Sequence, residues 1–265
     1  MKLSISNIGW GNFEDEAMYE YISGLGFSGV EIAPTRLFTS NPYENLEQAK
    51  EWGKELQTHY RLVVPSMQSI WYGRGEKLFG SESERKALLA YTKQAIDFAE
   101  AISCHNLVFG CPKNRVIGDK VEWQTGVAFF RELAEYAGGH GVVIGMEANP
   151  AIYGTNYINT TQEALDLLAE VDRPAFQLNL DLGTMIQNEE HAVVLRGMVK
   201  YISHVHVSEP FLKPIEKRDL HKNVANILRK ENYQGFVSIE MGKVEDLAVL
   251  RQAMVYVKEV FGTDE

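Results

Sequence analysis

The chain predicts a single (β/α)8 TIM barrel, and three observations predict it. Short apolar runs alternate with longer amphipathic segments about eight times, the pattern of parallel strands joined by right-handed helical crossovers. The length of 265 residues suits one closed barrel, for which about 250 is typical. Several of the apolar runs end on an acid or a histidine, as expected of a fold that keeps its chemistry at the carboxyl ends of its strands. No Pro/Ser-rich hinge, low-complexity tract or short-period repeat interrupts the alternation, so residues 1–265 read as one domain.

Lys2–Trp10 is the first predicted strand, with a helix from about Glu14 to Leu25 behind it. Gly29–Pro34, GVEIAP, is the second, followed by a helix over Tyr43–Tyr60. Arg61–Ile70 is the third and leads into the glycine-rich loop WYGRGEKLFG. Ser81–Ser103 reads as a long helix, because Ser83 and its acidic neighbours suit a first turn whose free N–H groups and dipole favour oxygen and negative charge. Asn106–Pro112 is the fourth strand, and the fourth helix runs from Lys120 to His140, where GGHG stops it. Val142–Glu147 is the fifth strand: four apolar or small residues run into a glutamate and an Asn-Pro pair breaks the run, as in a strand buried on both faces. Thr160–Val171 follows, with capping chemistry in Asn159 and in Thr161 to Glu163. Phe176–Leu182 and Ile202–Val207 are the sixth and seventh strands, with helices over Glu189–Lys200 and Asp219–Glu231. Phe236–Glu240 is the eighth, and Val244–Phe261 closes the chain as a helix.

Composition narrows the function. A formal net charge of −10 argues against a nucleic-acid backbone as partner, since that needs a basic face. No run of about 18 apolar residues is present, so no membrane partner is expected. The N-terminus MKLSISNIGWG lacks the apolar core of a signal peptide, and two cysteines, Cys104 and Cys111, cannot form a secreted disulfide framework. A cytoplasmic protein with reduced thiols is expected. A dinucleotide fold is excluded by its missing fingerprint: no G-x-G-x-x-G follows the first strand, and no phosphate-binding G-x-x-x-x-G-K-[ST] occurs.

The chemistry concentrates at four successive strand ends. Glu147 in VVIGMEANP, Asp181 in FQLNLDLGT, His206 in ISHVHVSEP and Glu240 in FVSIEM each close a hydrophobic run. A carboxylate there is desolvated unless paired, and a divalent cation supplies that pairing. Alone, each residue reads more often as a salt-bridge partner or a support for a ligand than as a ligand itself; four in order on strands five to eight are far more specific. The mostly oxygen set suits one divalent ion, Mn2+ first and Mg2+ or Co2+ next, better than a structural zinc site, with Zn2+ as a further alternative.

MEANP, NLDLGT, HVHVSE and SIEM, in that order, resemble the xylose-isomerase-like barrel superfamily, in particular sugar epimerases and isomerases of the tagatose 3-epimerase type. The resemblance spans nearly the whole chain. It implies that Glu147, Asp181, His206 and Glu240 bind one divalent metal, and that Glu147 and Glu240 move a proton on either side of the carbon beside a carbonyl. A small-molecule carbohydrate is the implied substrate, and a homo-oligomer is compatible with it. Two positions depart from the pattern: Thr184 stands where the epimerases usually have a histidine, and Tyr153 where they tend to place a carboxylate. A standard free hexose is therefore not the expected substrate.

Weaker candidates for substrate contact are Trp10, Glu31, Gln68, Trp71, Asn149, Glu209 and Arg218, at or just after predicted strand ends or in their loops, and His204, two residues before His206 on the same face of its strand. Tyr72, Lys113 and His221 are further loop candidates, whereas His59, His105, His140 and His191 read as surface or structural. The leading expectation is a metal-dependent isomerase or epimerase of a small sugar or keto-polyol. A lyase on the same site, dehydrating or deglycosidating a keto-sugar, is the alternative. An endonuclease-like DNA-repair enzyme and a non-catalytic sugar binder stand behind these, because the same fold hosts several reactions.

Overall fold

In the structure, a computed structural model that describes residues 1–118 and 121–262, eight parallel strands form one sheet. They are β1 (Lys2–Ser6), β2 (Gly29–Glu31), β3 (Ser66–Met67), β4 (Asn106–Phe109), β5 (Val143–Glu147), β6 (Phe176–Asp181), β7 (Ile202–Ser208) and β8 (Phe236–Glu240). The order β2-β1-β8-β7-β6-β5-β4-β3 leaves β2 and β3 as its two ends. Those ends meet through parallel bridges between Gly29 and Val63 and between Ile32 and Met67, with Gln68 N–H donating to the Ile32 carbonyl at 2.9 Å. The sheet thus returns on itself as a (β/α)8 barrel, which removes its free edges.

Helices α1 (Asp15–Gly24), α2 (Pro34–Leu37), α3 (Leu46–Tyr60), α4 (Glu82–Ala101), α5 (Val121–Gly139), α6 (Thr161–Val171), α7 (Leu182–Gln187), α8 (Asp219–Lys230) and α9 (Leu247–Phe261) lie between the strands. The aliphatic core sits between strands and helices, where Leu3, Ile5, Val30, Ile144, Leu178, Val205 and Ile239 are at most 4% exposed. The interior of the barrel is polar instead. Ser6, Glu31, Ser66, Gln68, Glu147, Asn179, His204 and His206 hydrogen-bond to one another across it. A barrel interior is usually filled by branched aliphatic layers, so this departure marks where function displaced packing.

Four elements differ from expectation. The third strand shrinks to Ser66–Met67, since Arg61 takes a left-handed φ of 58° to cap α3 and Pro65 brings no N–H to the ladder. The expected helix over Glu189–Lys200 is absent; α7 forms directly after β6, and two 3-10 turns, Ala192–Leu195 and Val199–Tyr201, follow. Left-handed φ values of 54° at Glu189 and 77° at Gly197 break that stretch. The first strand ends at Ser6, where a 3-10 turn begins, and Pro34 opens α2 rather than ending β2. The expected start of the fourth helix at Lys120 lies outside the described residues.

Candidate active site

Strand register staggers the four strand-end residues around the mouth of the barrel, and their side chains converge there. Glu147 pairs with Asn179, Asp181 with His206, and Ser208 with Glu240. One donor atom each from Glu147, Asp181, His206 and Glu240 lies within 4.8 Å of the others. His206 is the hub: its Nδ1 is 2.9 Å from Glu147 Oε1 and 3.3 Å from Glu240 Oε2.

The other face of the same ring is held from below. His206 Nε2 lies 2.9 Å from Glu31 Oε2, and both residues are fully buried. Glu31 also accepts from the Ser66 hydroxyl and lies 3.1 Å from His204 Nε2. Burial alone would raise the Glu31 carboxyl, but the His206 and His204 imidazoles hold it well below the usual carboxylate range. Glu31 is therefore ionised and takes the Nε2 hydrogen, which leaves Nδ1 to face the three carboxylates. A carboxylate fixing the tautomer of a ligating histidine is the usual support of a metal site.

The cluster could hold a metal ion, and its electrostatics accord with one. Burial pushes Glu240 up to about 7, with Glu147 and Asp181 adding to it against His206. Asp181 is raised too, first by burial and then by Glu147. His206 is depressed by burial, yet Glu31 and Glu240 carry it well above its ordinary value. Glu240, Asp181 and His206 thus hold their protons more tightly than usual, where a divalent ion would compensate the same charge. The hard oxygen set with one imidazole fits such an ion.

Neighbours fix the carboxylates of Glu147 and Asp181. Asn179 Nδ2 donates to Glu147 Oε1 at 2.8 Å, and Asn149 Nδ2 donates to Oε2 at 2.9 Å. The fully buried Arg115 orients Asn149 by donating to its Oδ1 at 2.6 Å and binds the Glu147 carbonyl at 2.8 Å. Gly110 makes room: a Cβ there would stand 2.7 Å from Glu147 Oε2. Asp181 Oδ2 accepts from Thr184 N at 2.8 Å, and the Thr184 hydroxyl lies 2.7 Å from the same oxygen, while Ser208 donates to Oδ1. The position of the family histidine is thus spent on steadying Asp181.

The remaining candidates divide by place. Gln68 bonds Ser6 at 2.6 Å and Glu31 at 3.2 Å, inside the barrel network. Trp10 directs its N–H to Asp15, and Trp71 directs its own to Thr92 while packing edge-on against Phe109. Glu209 and Arg218 form a two-pronged ion pair at 2.6 and 2.7 Å. Tyr153 OH accepts from Phe211 N at 2.7 Å, and its phenol is raised by burial and by the Asp181, Glu240 and Glu147 charges. Tyr72 is exposed, and His221 is buried against Tyr256 and Phe261.

Sequence reasoning missed Asn179, Ser208, Ser66, Arg115 and Gly110. Two of these had a signal. Asn179 precedes Asp181 by two and Ser208 follows His206 by two, so each shares its partner's face of a strand. Arg115 reaches the site from a loop and left no periodic trace.

The family profile described as a xylose isomerase-like TIM barrel matches residues 19–260. No curated protein sequence matches. Among solved structures, a D-psicose 3-epimerase in the presence of D-fructose superposes with a TM-score of 0.81 at 17% identity, covering 99% of this chain and 100% of that one. The D-psicose 3-epimerase of Clostridium cellulolyticum H10, with D-tagatose, gives 0.79 at 20% identity over 99% and 100%. A 3-keto-D-glucoside 4-epimerase from E. coli gives 0.78 at 20% identity over 98% and 99%. At these identities the structural likeness carries the fold. The chain belongs to the xylose isomerase-like TIM barrel family.

Proposed function

We propose that the chain is a divalent-metal-dependent isomerase or epimerase of a small sugar or keto-polyol, moving a proton through an enediolate with Glu147 and Glu240 as the paired acid and base. The observation that carries this reading is one imidazole facing three carboxylates, all four donor atoms within 4.8 Å, at the carboxyl end of the barrel. Glu147, Asp181, His206 and Glu240 would hold the ion, with Mn2+ the first choice and Mg2+, Co2+ or Zn2+ as alternatives. Bound there, it would supply Lewis acidity that makes the C–H beside a carbonyl more acidic and stabilises the enediolate.

The chain's own groups divide the remaining work. Asn149 and Asn179 pin both oxygens of Glu147, so this carboxylate is positioned rather than mobile. The Glu240 carboxylate has no hydrogen-bond or ion-pair partner but His206 among the described residues, so it is the less tethered of the two glutamates and suits the carrier of the proton. One carboxylate takes the proton and the other returns it, to the opposite face or to the neighbouring carbon. Substrates of the epimerases with this fold favour a carbohydrate, and the same reading makes the protein cytoplasmic, without nucleic-acid or membrane partners.

Tyr153 favours a second reading, a lyase. Its phenol accepts from Phe211, has no acceptor for its own hydrogen among the described residues, and is kept neutral beside three carboxylates. That is a proton donor for a departing oxygen. One experiment addresses both readings. Protein purified without added metal should hold about one divalent ion per chain, and Glu147→Gln/Asp181→Asn should lose it. Loaded protein should convert a keto-sugar to a product of equal mass. A dehydrated or fragmented product whose release Tyr153→Phe slows replaces the isomerase with the lyase, and failure to bind any of the four ions removes both.

A further inference from the structure

At the amino-terminal end of the barrel, opposite the carboxylate cluster, lies a cavity of about 750 Å³, a size typical of small-molecule sites. The first residues of β5, β7 and β8, Val143, Ile202 and Phe236, give it largely apolar walls. Three polar groups converge on it. Asn106 is 4% exposed, and neither its Nδ2 nor its Oδ1 has a partner among the described residues. Ser203 approaches the same space: a Cβ on Gly145 would stand 2.8 Å from Asn106 Oδ1 and 3.2 Å from Ser203 Oγ.

His204 is the third. It lines the cavity, its Nε2 lies 3.1 Å from both Ser66 Oγ and Glu31 Oε2, and its Nδ1 makes no hydrogen bond among the described residues. The Ser66 hydroxyl donates to Glu31, so toward His204 it can only accept. That puts the ring hydrogen on Nε2 and leaves Nδ1 an acceptor. An amide that both donates and accepts, a hydroxyl and an imidazole acceptor, set among apolar and aromatic walls, match hydroxyl groups on a carbon skeleton. The charged residues of the lining are Lys2, Lys200 and Glu231, of both signs, and they mark no strongly charged ligand.

We propose that this cavity is a second ligand site, which takes a neutral polyol or sugar of monosaccharide size. A ligand hydroxyl donating to His204 Nδ1 would lock the tautomer whose Nε2 hydrogen serves Glu31. The site therefore stands at the foot of the His204–Glu31–His206 chain that ends at the candidate metal ligands. It is independent of the reaction proposed above.

The test uses D-glucitol, a polyol without a carbonyl and so no substrate for enolisation. Calorimetric titration should show binding to the wild-type protein and to Glu240→Gln alike, and at least tenfold weaker binding to Asn106→Leu. Crystals soaked in D-glucitol should show it between Asn106 and His204. If Asn106→Leu fails to fold, Gly145→Ala narrows the same space and should weaken binding likewise. Binding that survives in the cavity variant but is lost in Glu240→Gln places the polyol at the carboxylate end and overturns the proposal. So does the absence of binding by glycerol, erythritol and D-glucitol, which would leave a cavity that holds water only.

Discussion

Glu31 lies beneath the four candidate ligands rather than among them, yet its single charge organises the centre. Its Oε2 meets His206 at 2.9 Å, His204 at 3.1 Å and the Ser66 hydroxyl. Replacing it with Gln keeps the shape but removes the charge that draws the His206 hydrogen to Nε2. Glu31→Gln should therefore weaken Mn2+ affinity about 10–100-fold, the usual cost of losing such a partner, while the far-ultraviolet circular dichroism stays that of the wild type. Chelator competition measures it, and an unchanged affinity would show that Nδ1 does not depend on Glu31. Much of the site could be read from the sequence at this scale, because a buried strand end that carries a charge is conspicuous against its apolar run. Glu147, Asp181, His206 and Glu240 stood out in that way. Glu31 stood out too, but its role did not, since nothing in GVEIAP says that His206 lies across the barrel. Arg115 and Gly110 act through one close approach each, and a single contact leaves no pattern along a chain.

Elements were legible where their ends carry local chemistry and illegible where tertiary packing decides. The helix after the third strand was read with Ser83 in a favourable first turn; the structure makes Ser81 its N-cap. Ser81 Oγ accepts from Glu84 N at 3.3 Å, and Glu84 Oε2 accepts from Ser81 N at 2.8 Å, a reciprocal capping box. Loss of such a cap costs about 0.5–2 kcal/mol. Ser81→Ala should lower the urea midpoint accordingly, whereas Ser83→Ala should stay within about 0.5 kcal/mol of wild type, as exposed substitutions do. Equal effects of the two would remove Ser81 from the cap. The same box recurs at Thr160 with Glu163; Glu163 was among the capping residues expected there, and the N-cap falls on Thr160, between Asn159 and Thr161. The third strand and the stretch after the sixth were misjudged for a different reason. Arg61, Glu189 and Gly197 adopt left-handed backbone that no hydrophobic period announces.

At the scale of the whole molecule, alternation of strand and helix predicted the barrel because parallel strands leave few other closed arrangements, but it could not predict an interior filled with polar groups. Stability also depends on protonation of a buried group outside that interior, and this group can be isolated. His221 on α8 packs against Tyr256 and Phe261 on α9, away from the metal candidates. Burial, with the nearby Arg218 charge, pulls its pKa down to about 4, and its Nε2 has no partner among the described residues. The folded chain thus keeps this ring neutral to a lower pH than the unfolded chain, whose histidines protonate near 6.5. As pH falls from 6.5 to 4 the unfolded state binds the extra proton, and the fold loses stability across that window, on the order of 3 kcal/mol in total from this residue. His221→Phe, which offers a ring of similar size among aromatic neighbours, should remove that dependence. Urea unfolding at pH 7 and pH 4.5 measures it: the stability of the variant relative to wild type should rise on acidification. Parallel losses in both proteins would place the acid sensitivity in other groups and leave His221 an ordinary packing residue.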